Sequence, residues 1–106
     1  MDAMMTRKVL RRAAEIVDQG WTQGCEARDA FRNQVPFNDP AAVRWCLGGA
    51  VNLAALEAGL KHSRPIFTAL MKVDYSPSMW NDAPGRTADE VAGLLRRAAN
   101  HGEEAR

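Results

Sequence analysis

The sequence contains few of the features that mark membrane, secreted or nucleic-acid-binding proteins. No apolar run approaches the roughly 20 residues that span a bilayer, and the charged segment from Met1 to Leu10 does not resemble a signal peptide. There are only two cysteines and no C-x-x-C pair, which favours free thiols. The 14 basic and 13 acidic residues nearly cancel, so no general attraction to nucleic acid or membranes is expected. These absences predict a soluble, cytoplasmic protein that does not bind membranes.

Few side chains are available to hold a metal ion. The cysteine and histidine residues are Cys25, Cys46, His62 and His101. None of their spacings resembles a recurring zinc arrangement. The sequence therefore predicts no metal site and no cofactor.

The composition itself is that of a globular protein, with 46% hydrophobic and 25% charged residues in a chain of 106. Its apolar residues follow mainly helical spacing. This spacing predicts helices over Thr6–Gln19, over Pro40–Ala58, over Pro65–Lys72 and from Thr87 to near His101. We therefore predict an all-α fold, a compact four-helix domain over residues 1–106. A long packed loop, residues 20–38, would separate helices one and two, and a second loop would span Asp74–Gly85.

The second predicted helix has the clearest signals. Asp39 is a suitable cap and Pro40 suits a first helical turn. The following residues are apolar nearly all round, which is typical of a buried central helix. Gly48 and Gly49 would weaken such a helix unless another backbone comes close, so we expect another helix to cross it there.

Three tryptophan-centred segments distinguish the chain. They are Trp21–Gly24 (W-x-Q-G), Trp45–Ala50 (W-C-x-x-G-A) and Trp80–Thr87 (W-N-D-x-x-G-R-T). In this order and at this spacing they resemble an uncharacterised family of small bacterial and phage proteins. The resemblance spans most of the chain, and it implies no activity, because no function is known for that family.

The third segment is the most distinctive polar stretch, and its candidate binding residues are Trp80, Asn81, Asp82 and Arg86. Turn chemistry explains it adequately, because Asx side chains bond to nearby backbone and Thr87 begins a T-x-x-E capping box. We expect a rigid clasp in which Trp80 anchors the loop near Trp21 or Trp45. The alternative is a loop that binds a ligand or partner.

Two other groups of residues are candidates for function. Cys46 would be a nucleophile if His62 were its base, but a place two turns inside an apolar helix favours a structural role. Arg7, Lys8, Arg11 and Arg12 form a possible basic patch on helix one. Such a patch usually is a solvated helix face, and no nucleic-acid-binding motif accompanies it.

The sequence thus favours a small non-enzymatic binding or regulatory module that contacts another protein, with a role in a phage or host system among the options. One alternative is a small enzyme that uses Cys46 or the Asn81–Asp82 loop. A second alternative is a nucleic-acid binder that uses the basic face of helix one. No catalytic residue is assigned, and the oligomeric state is left open.

Overall fold

A computed structural model describes residues 3–71 and 76–104 of the chain, with side chains described as far as residue 100. Within these residues the chain forms five helices and three short strands. The helices are α1 (Ala3–Gln19), α2 (Leu47–Glu57), α3 (Arg64–Leu70), α4 (Pro77–Asn81) and α5 (Ala88–Glu104), and the strands are β1 (Ala27–Arg28), β2 (Gln34–Val35) and β3 (Arg44–Trp45). No helix of this described part is long and apolar enough to cross a bilayer.

The predicted all-α four-helix fold is wrong, because residues 27–45 build a three-stranded antiparallel sheet in the order β2-β1-β3. Each strand has only two residues. An alternating apolar pattern needs at least four residues to be recognised, so the sequence carries no readable strand signal here. The expectation of a packed loop between helices one and two is met only in part: Trp21, Val35 and Phe37 contact the core, Phe31 is exposed, and the sheet orders much of the segment.

The register of the sheet sorts its residues onto two faces. Ala27 is paired with both Val35 and Trp45, and these three side chains join the hydrophobic core. The second row consists of Gln34, Arg28 and Arg44, because Arg28 is the partner of both outer residues. Paired residues of an antiparallel sheet project to the same side, so this row lies on the face opposite the core.

The core lies between the sheet and the two long helices. α1 packs against both α2 and α5. The largest fully buried apolar side chains are Leu10, Ile16, Leu47, Ile66 and Leu95. The apolar stripe predicted for helix one is confirmed, although α1 begins at Ala3 rather than Thr6.

Helix α2 begins at Leu47 and not at Pro40. The Asp39 side chain accepts a hydrogen bond from the Ala41 amide, and the Asp39 carbonyl accepts one from the Ala42 amide. The residues that predict a helix start at Asp39 and Pro40 therefore form a tight turn instead, since the residues that favour helix caps also favour turns. The predicted end is confirmed to within a residue, because Ala58 is the C-cap.

The close backbone contact predicted for the glycine pair is present at Gly49 only, and the partner is not a helix; a Cβ at Gly48 would meet only side-chain atoms, at 3.8 and 3.9 Å. A Cβ atom at Gly49 would lie 2.2 Å from the carbonyl oxygen of Glu26, just before β1. The same carbonyl accepts a hydrogen bond from the Cys46 amide at 3.0 Å. A glycine is thus required at position 49 by the strand connection that passes over the start of α2.

The last third of the chain follows its local signals in part. Helix α3 is close to the predicted Pro65–Lys72, and Lys72 lies outside the described residues. The predicted loop Asp74–Gly85 instead contains α4, and its first two residues also lie outside them. The capping box of α5 is confirmed: the Glu90 amide donates to the Thr87 hydroxyl at 3.2 Å, and the Thr87 amide donates to the Glu90 carboxylate at 3.0 Å.

Candidate functional site

The three tryptophan segments meet at Asn81, the last residue of α4, which is 0% exposed. Its Oδ1 accepts hydrogen bonds from Trp21 Nε1 at 2.7 Å and from the Leu47 amide at 3.0 Å. Its Nδ2 donates to the Thr22 carbonyl at 3.1 Å and to the Asp82 carboxylate at 2.9 Å. An amide side chain has two donor hydrogens and two acceptor lone pairs. All four are used, so Asn81 joins the segments and has no capacity left for a ligand.

Neighbouring bonds strengthen this junction. Gln23 Nε2 donates to the carbonyls of Asn81 and Ala83, at 3.0 and 3.2 Å. The Gly24 amide donates to the Asp82 carboxylate at 3.0 Å. The W-x-Q-G segment is therefore held against the third segment by its glutamine and its glycine amide.

Trp80 and Arg86 form the outer part of the third segment. The Arg86 guanidinium lies 3.9 Å from the centre of the Trp80 ring, and its Nε donates to the Trp80 carbonyl at 3.0 Å. Arg86 also pairs with Glu90 at 3.3 Å. Trp80 is half-buried and packs on the core, while Trp21 bonds to the adjacent Asn81. A left-handed backbone at Gly85, with φ of +80°, completes the bend. All four predicted binding residues thus make internal contacts that brace this segment.

Cys46 occupies a different position from the one predicted, because it is the N-cap of α2. Its Sγ accepts a hydrogen bond from the Gly49 amide at 3.2 Å. Burial raises the pKa of the Cys46 thiol, and this effect outweighs the opposing hydrogen bonds from the backbone amides of Gly49 and Gly48. Electrostatic interactions with Asp82 and Cys25 raise the pKa of Cys46 further. A helix N-terminus favours a thiolate, but here the neutral thiol is favoured.

The proposed base for Cys46 lies beside the second half of α2. Ser63, the residue after His62, donates from its hydroxyl to Asn52 Oδ1, and His62 lines a groove with Asn52 and Leu56. The described hydrogen bond of Cys46 Sγ comes from the Gly49 amide, so no bond to His62 is seen. Among the described residues, no group of three metal-ligating side chains could hold a metal ion, and the side chain of His101 lies outside that set.

The predicted basic patch is divided between the core and ion pairs. Arg7 is only 8% exposed, because it lies three residues before Leu10 and shares its buried face. Arg12 is paired with Glu57 at 2.7 Å and with Glu15 at 3.2 Å. Lys8 and Arg11 line a groove of about 420 Å³ between α1 and α2, together with Arg12 and both glutamates. This mixture of charges makes α1 a poor match for a polyanion.

Sequence reasoning placed Phe31 in the packed loop, but Phe31 is the most exposed of the large apolar side chains in the described part. Phe31 is 86% exposed and lies at the tip of the β1–β2 hairpin. The other large apolar side chains exposed in the described part are Met4, Val43, Leu56 and Met79. Val43 lies at the same end of the sheet as Phe31, because its amide donates to the Arg28 carbonyl at 2.9 Å. An aromatic side chain and a valine are thus presented together at one end of the sheet.

The hairpin turn that carries Phe31 is tightly bonded. Asp29 Oδ1 accepts from the amides of Phe31 and Asn33, both at 2.9 Å. These interactions, with the Asn33 amide contributing most, hold the pKa of Asp29 below its ordinary value. The Arg32 amide donates to the Asp29 carbonyl at 3.0 Å. Arg32 itself has a φ of +70°, a left-handed conformation that is uncommon for an arginine.

Arg28 connects this turn to the junction of the three segments. Its Nε donates to the Thr22 hydroxyl at 2.9 Å, its Nη2 to the Gln23 carbonyl at 3.3 Å and its Nη1 to the Arg32 carbonyl at 3.0 Å. The hydrogen bonds therefore run without interruption from Asn81 through Gln23 and Arg28 to the turn. These tryptophan-segment residues thus fix the orientation of the hairpin.

The comparison with known families agrees with the resemblance seen in the tryptophan segments, since residues 1–101 match the model of a single family. The chain belongs to a family of unknown function, DUF6197. No curated protein and no solved structure matches it significantly.

The DUF6197 chain therefore contains two kinds of candidate residue. The residues that the sequence singles out, such as Asn81 and Cys46, are buried and bonded to their neighbours. The hairpin residues Phe31 and Arg32 are exposed and lack a motif. A turn with a left-handed residue usually has glycine or asparagine at that position. Because position 32 is an arginine, the sequence shows no recognisable hairpin pattern there.

Proposed function

We propose that this protein is a small, non-enzymatic binding module that presents Phe31 to another protein. The observation that carries the proposal is the 86% exposure of Phe31 on a turn held by side-chain and backbone hydrogen bonds. Burying a phenylalanine side chain in a partner contributes about 1.5–3 kcal/mol. Aromatic side chains that enter a partner's pocket are typical anchors of protein interfaces.

The local backbone supports the same role. A non-glycine residue in a sparsely populated conformation costs on the order of 1–3 kcal/mol and persists only where its surroundings hold it. At Arg32 the surroundings are the bonds from Asp29 and Arg28. They keep the turn preorganised, so that little conformational entropy is lost when a partner binds.

The enzyme alternative has less support. Cys46 is buried, its pKa is raised and it makes no described hydrogen bond with His62, while Asn81 has no free hydrogen-bonding group. The nucleic-acid alternative is weakened by the burial of Arg7 and the ion pairs of Arg12. The two cysteines are free, which suits the reducing cytoplasm, and we propose that compartment for the module.

The test is a comparison of proteins captured from a native-host lysate by three baits. The baits are the wild-type chain, Phe31→Ala and the control Met79→Ala, whose side chain is 73% exposed on α4. We expect one set of proteins to be retained by wild type and Met79→Ala and lost with Phe31→Ala, while all three baits show the same thermal midpoint. Equal retention by Phe31→Ala would refute the proposal.

A further inference from the structure

The outer face of the sheet carries two adjacent arginines. Arg28 on β1 and Arg44 on β3 are register partners, and neighbouring strands lie about 4.8 Å apart. Like charges placed directly opposite each other on a sheet are destabilising. Such a pair is expected only where something else offsets the repulsion.

No carboxylate offsets it within the described residues. The ion pairs found there involve Arg12, Arg86 and Arg96, and neither Arg28 nor Arg44 takes part in one. The hydrogen bonds of Arg28 go to two carbonyls and a hydroxyl, all of them uncharged. Arg32, exposed at the adjoining turn, adds a third unpaired positive charge in the same part of the chain.

Arg44 shows the clearest deficiency. Its Nη1 is buried and has no hydrogen-bond partner in the described structure. A buried donor without a partner loses its hydrogen bonds to water and gains none from the protein, which is destabilising. A guanidinium can form two parallel hydrogen bonds with a carboxylate. Arg44 as a whole is only half-buried, and its guanidinium makes no hydrogen bond in the described structure, so the accessible edge of the group is free to pair with an incoming carboxylate.

We infer that the outer face of the sheet binds an acidic segment of a partner protein, whose carboxylates pair with Arg44 and Arg28 while an apolar side chain beside them covers Phe31. This inference rests on the proposed function and names the chemistry of the partner. The choice of an acidic partner rests on charge complementarity, because Arg28, Arg32 and Arg44 take part in no described ion pair, while the Asp29 carboxylate in the same turn is bonded to the amides of Phe31 and Asn33.

The experiment measures fluorescence anisotropy of a labelled short peptide of glutamate and leucine. Its counterpart with glutamine in place of glutamate and a single-stranded DNA oligonucleotide are the comparison probes. The acidic peptide should bind wild type, and Arg44→Gln should weaken binding about tenfold, as expected for a lost charged hydrogen-bonded pair. Arg97→Gln, which removes an exposed charge from α5, should bind as wild type does.

Several results would overturn the inference. These are no binding of the acidic peptide, equal binding of the glutamine peptide, equal or tighter Arg44-dependent binding of the oligonucleotide, or unchanged binding by Arg44→Gln. Self-association that Arg44→Gln abolishes, measured by light scattering, would make a second copy the occupant and would also overturn it.

The thermal midpoint distinguishes a binding role for Arg44 from a structural one. Because its guanidinium makes no described hydrogen bond in the free protein, Arg44→Met should keep or raise the thermal midpoint, and a large drop would overturn the inference.

The variant Phe31→Ala distinguishes failure of the acidic-partner inference from failure of the proposed function. If it leaves peptide binding and lysate capture intact while Arg44→Gln abolishes peptide binding, the anion site stands and the hairpin function fails. If only Phe31→Ala abolishes lysate capture and Arg44→Gln changes nothing, the hairpin function stands and the acidic partner is refuted.

Discussion

Replacing Asn81 by alanine is expected to lower the free energy of unfolding by about 3–5 kcal/mol. The variant leaves two donors without their acceptor, Trp21 Nε1 and the Leu47 amide, and one acceptor without its donor, the Thr22 carbonyl. Each buried polar group left unsatisfied costs about 1–3 kcal/mol. Three such groups together would cost about 3–9 kcal/mol. Because water can enter the small cavity and bond to some of them, we expect a loss in the lower part of that range.

Such a loss is large for this chain, because domains are stable by only about 5–15 kcal/mol. Urea denaturation should show a lower midpoint with an unchanged slope, and the thermal midpoint should fall by about 12 °C or more. Asn100→Ala is the matched control, since Asn100 is exposed and its one described bond, from Arg11, is 3.3 Å long. It should change stability by less than about 0.5 kcal/mol. A loss at Asn81 no larger than that of the control would refute the reasoning that the three segments are joined there.

Three further predictions follow from the same contacts. Gly49→Ala should lower the free energy of unfolding by about 2 kcal/mol or more, because its Cβ would meet a backbone oxygen at 2.2 Å. The control Gly48→Ala, whose Cβ would lie 3.8 Å from the nearest atom, should be neutral or stabilising. Equal losses for the two variants in urea denaturation would contradict this. Because burial raises the pKa of the Cys46 thiol, its contribution to stability should be constant below about pH 8.5, the ordinary thiol value, and decline at higher pH as the unfolded chain ionises first. Cys46→Ser should lack that part of the alkaline decline in unfolding free energy, and an identical pH profile would argue against the raised pKa. Thr87→Ala should cost about 0.5–2 kcal/mol through loss of the α5 cap, and an unchanged thermal midpoint would show that Glu90 alone suffices.

The elements that could be predicted are those with local causes. The apolar stripe of α1, the end of α2 and the Thr87–Glu90 capping box depend on residues within a few positions of one another, and each is present. The need for glycine at position 49 was also readable, since a glycine inside a strong helical pattern indicates a close contact. What the contact would be was not readable, because Glu26 is far away along the chain.

The candidate site, by contrast, depends on contacts between residues that are far apart in the chain. Asn81 was recognised as distinctive, but its role as a junction depends on partners 34 to 60 residues away in the chain. The expectation that Phe31 packs within the loop is wrong, because the turn that exposes it depends on Arg28 and on an arginine in a glycine-like conformation.

The sequence alone determined the composition class, the two long amphipathic helices and the family, because these depend on residue content, short-range periodicity and spaced motifs. The tertiary structure decided that residues 27–45 form a sheet, that Asp39 begins a turn and not a helix, and that Cys46 caps α2. Two-residue strands have too few local interactions to define themselves, and cap and turn residues offer the backbone the same hydrogen bonds. Long-range pairing of β1 with β2 and β3 resolves these ambiguities, and it also brings Arg28 and Arg44 together on the outer face of the sheet.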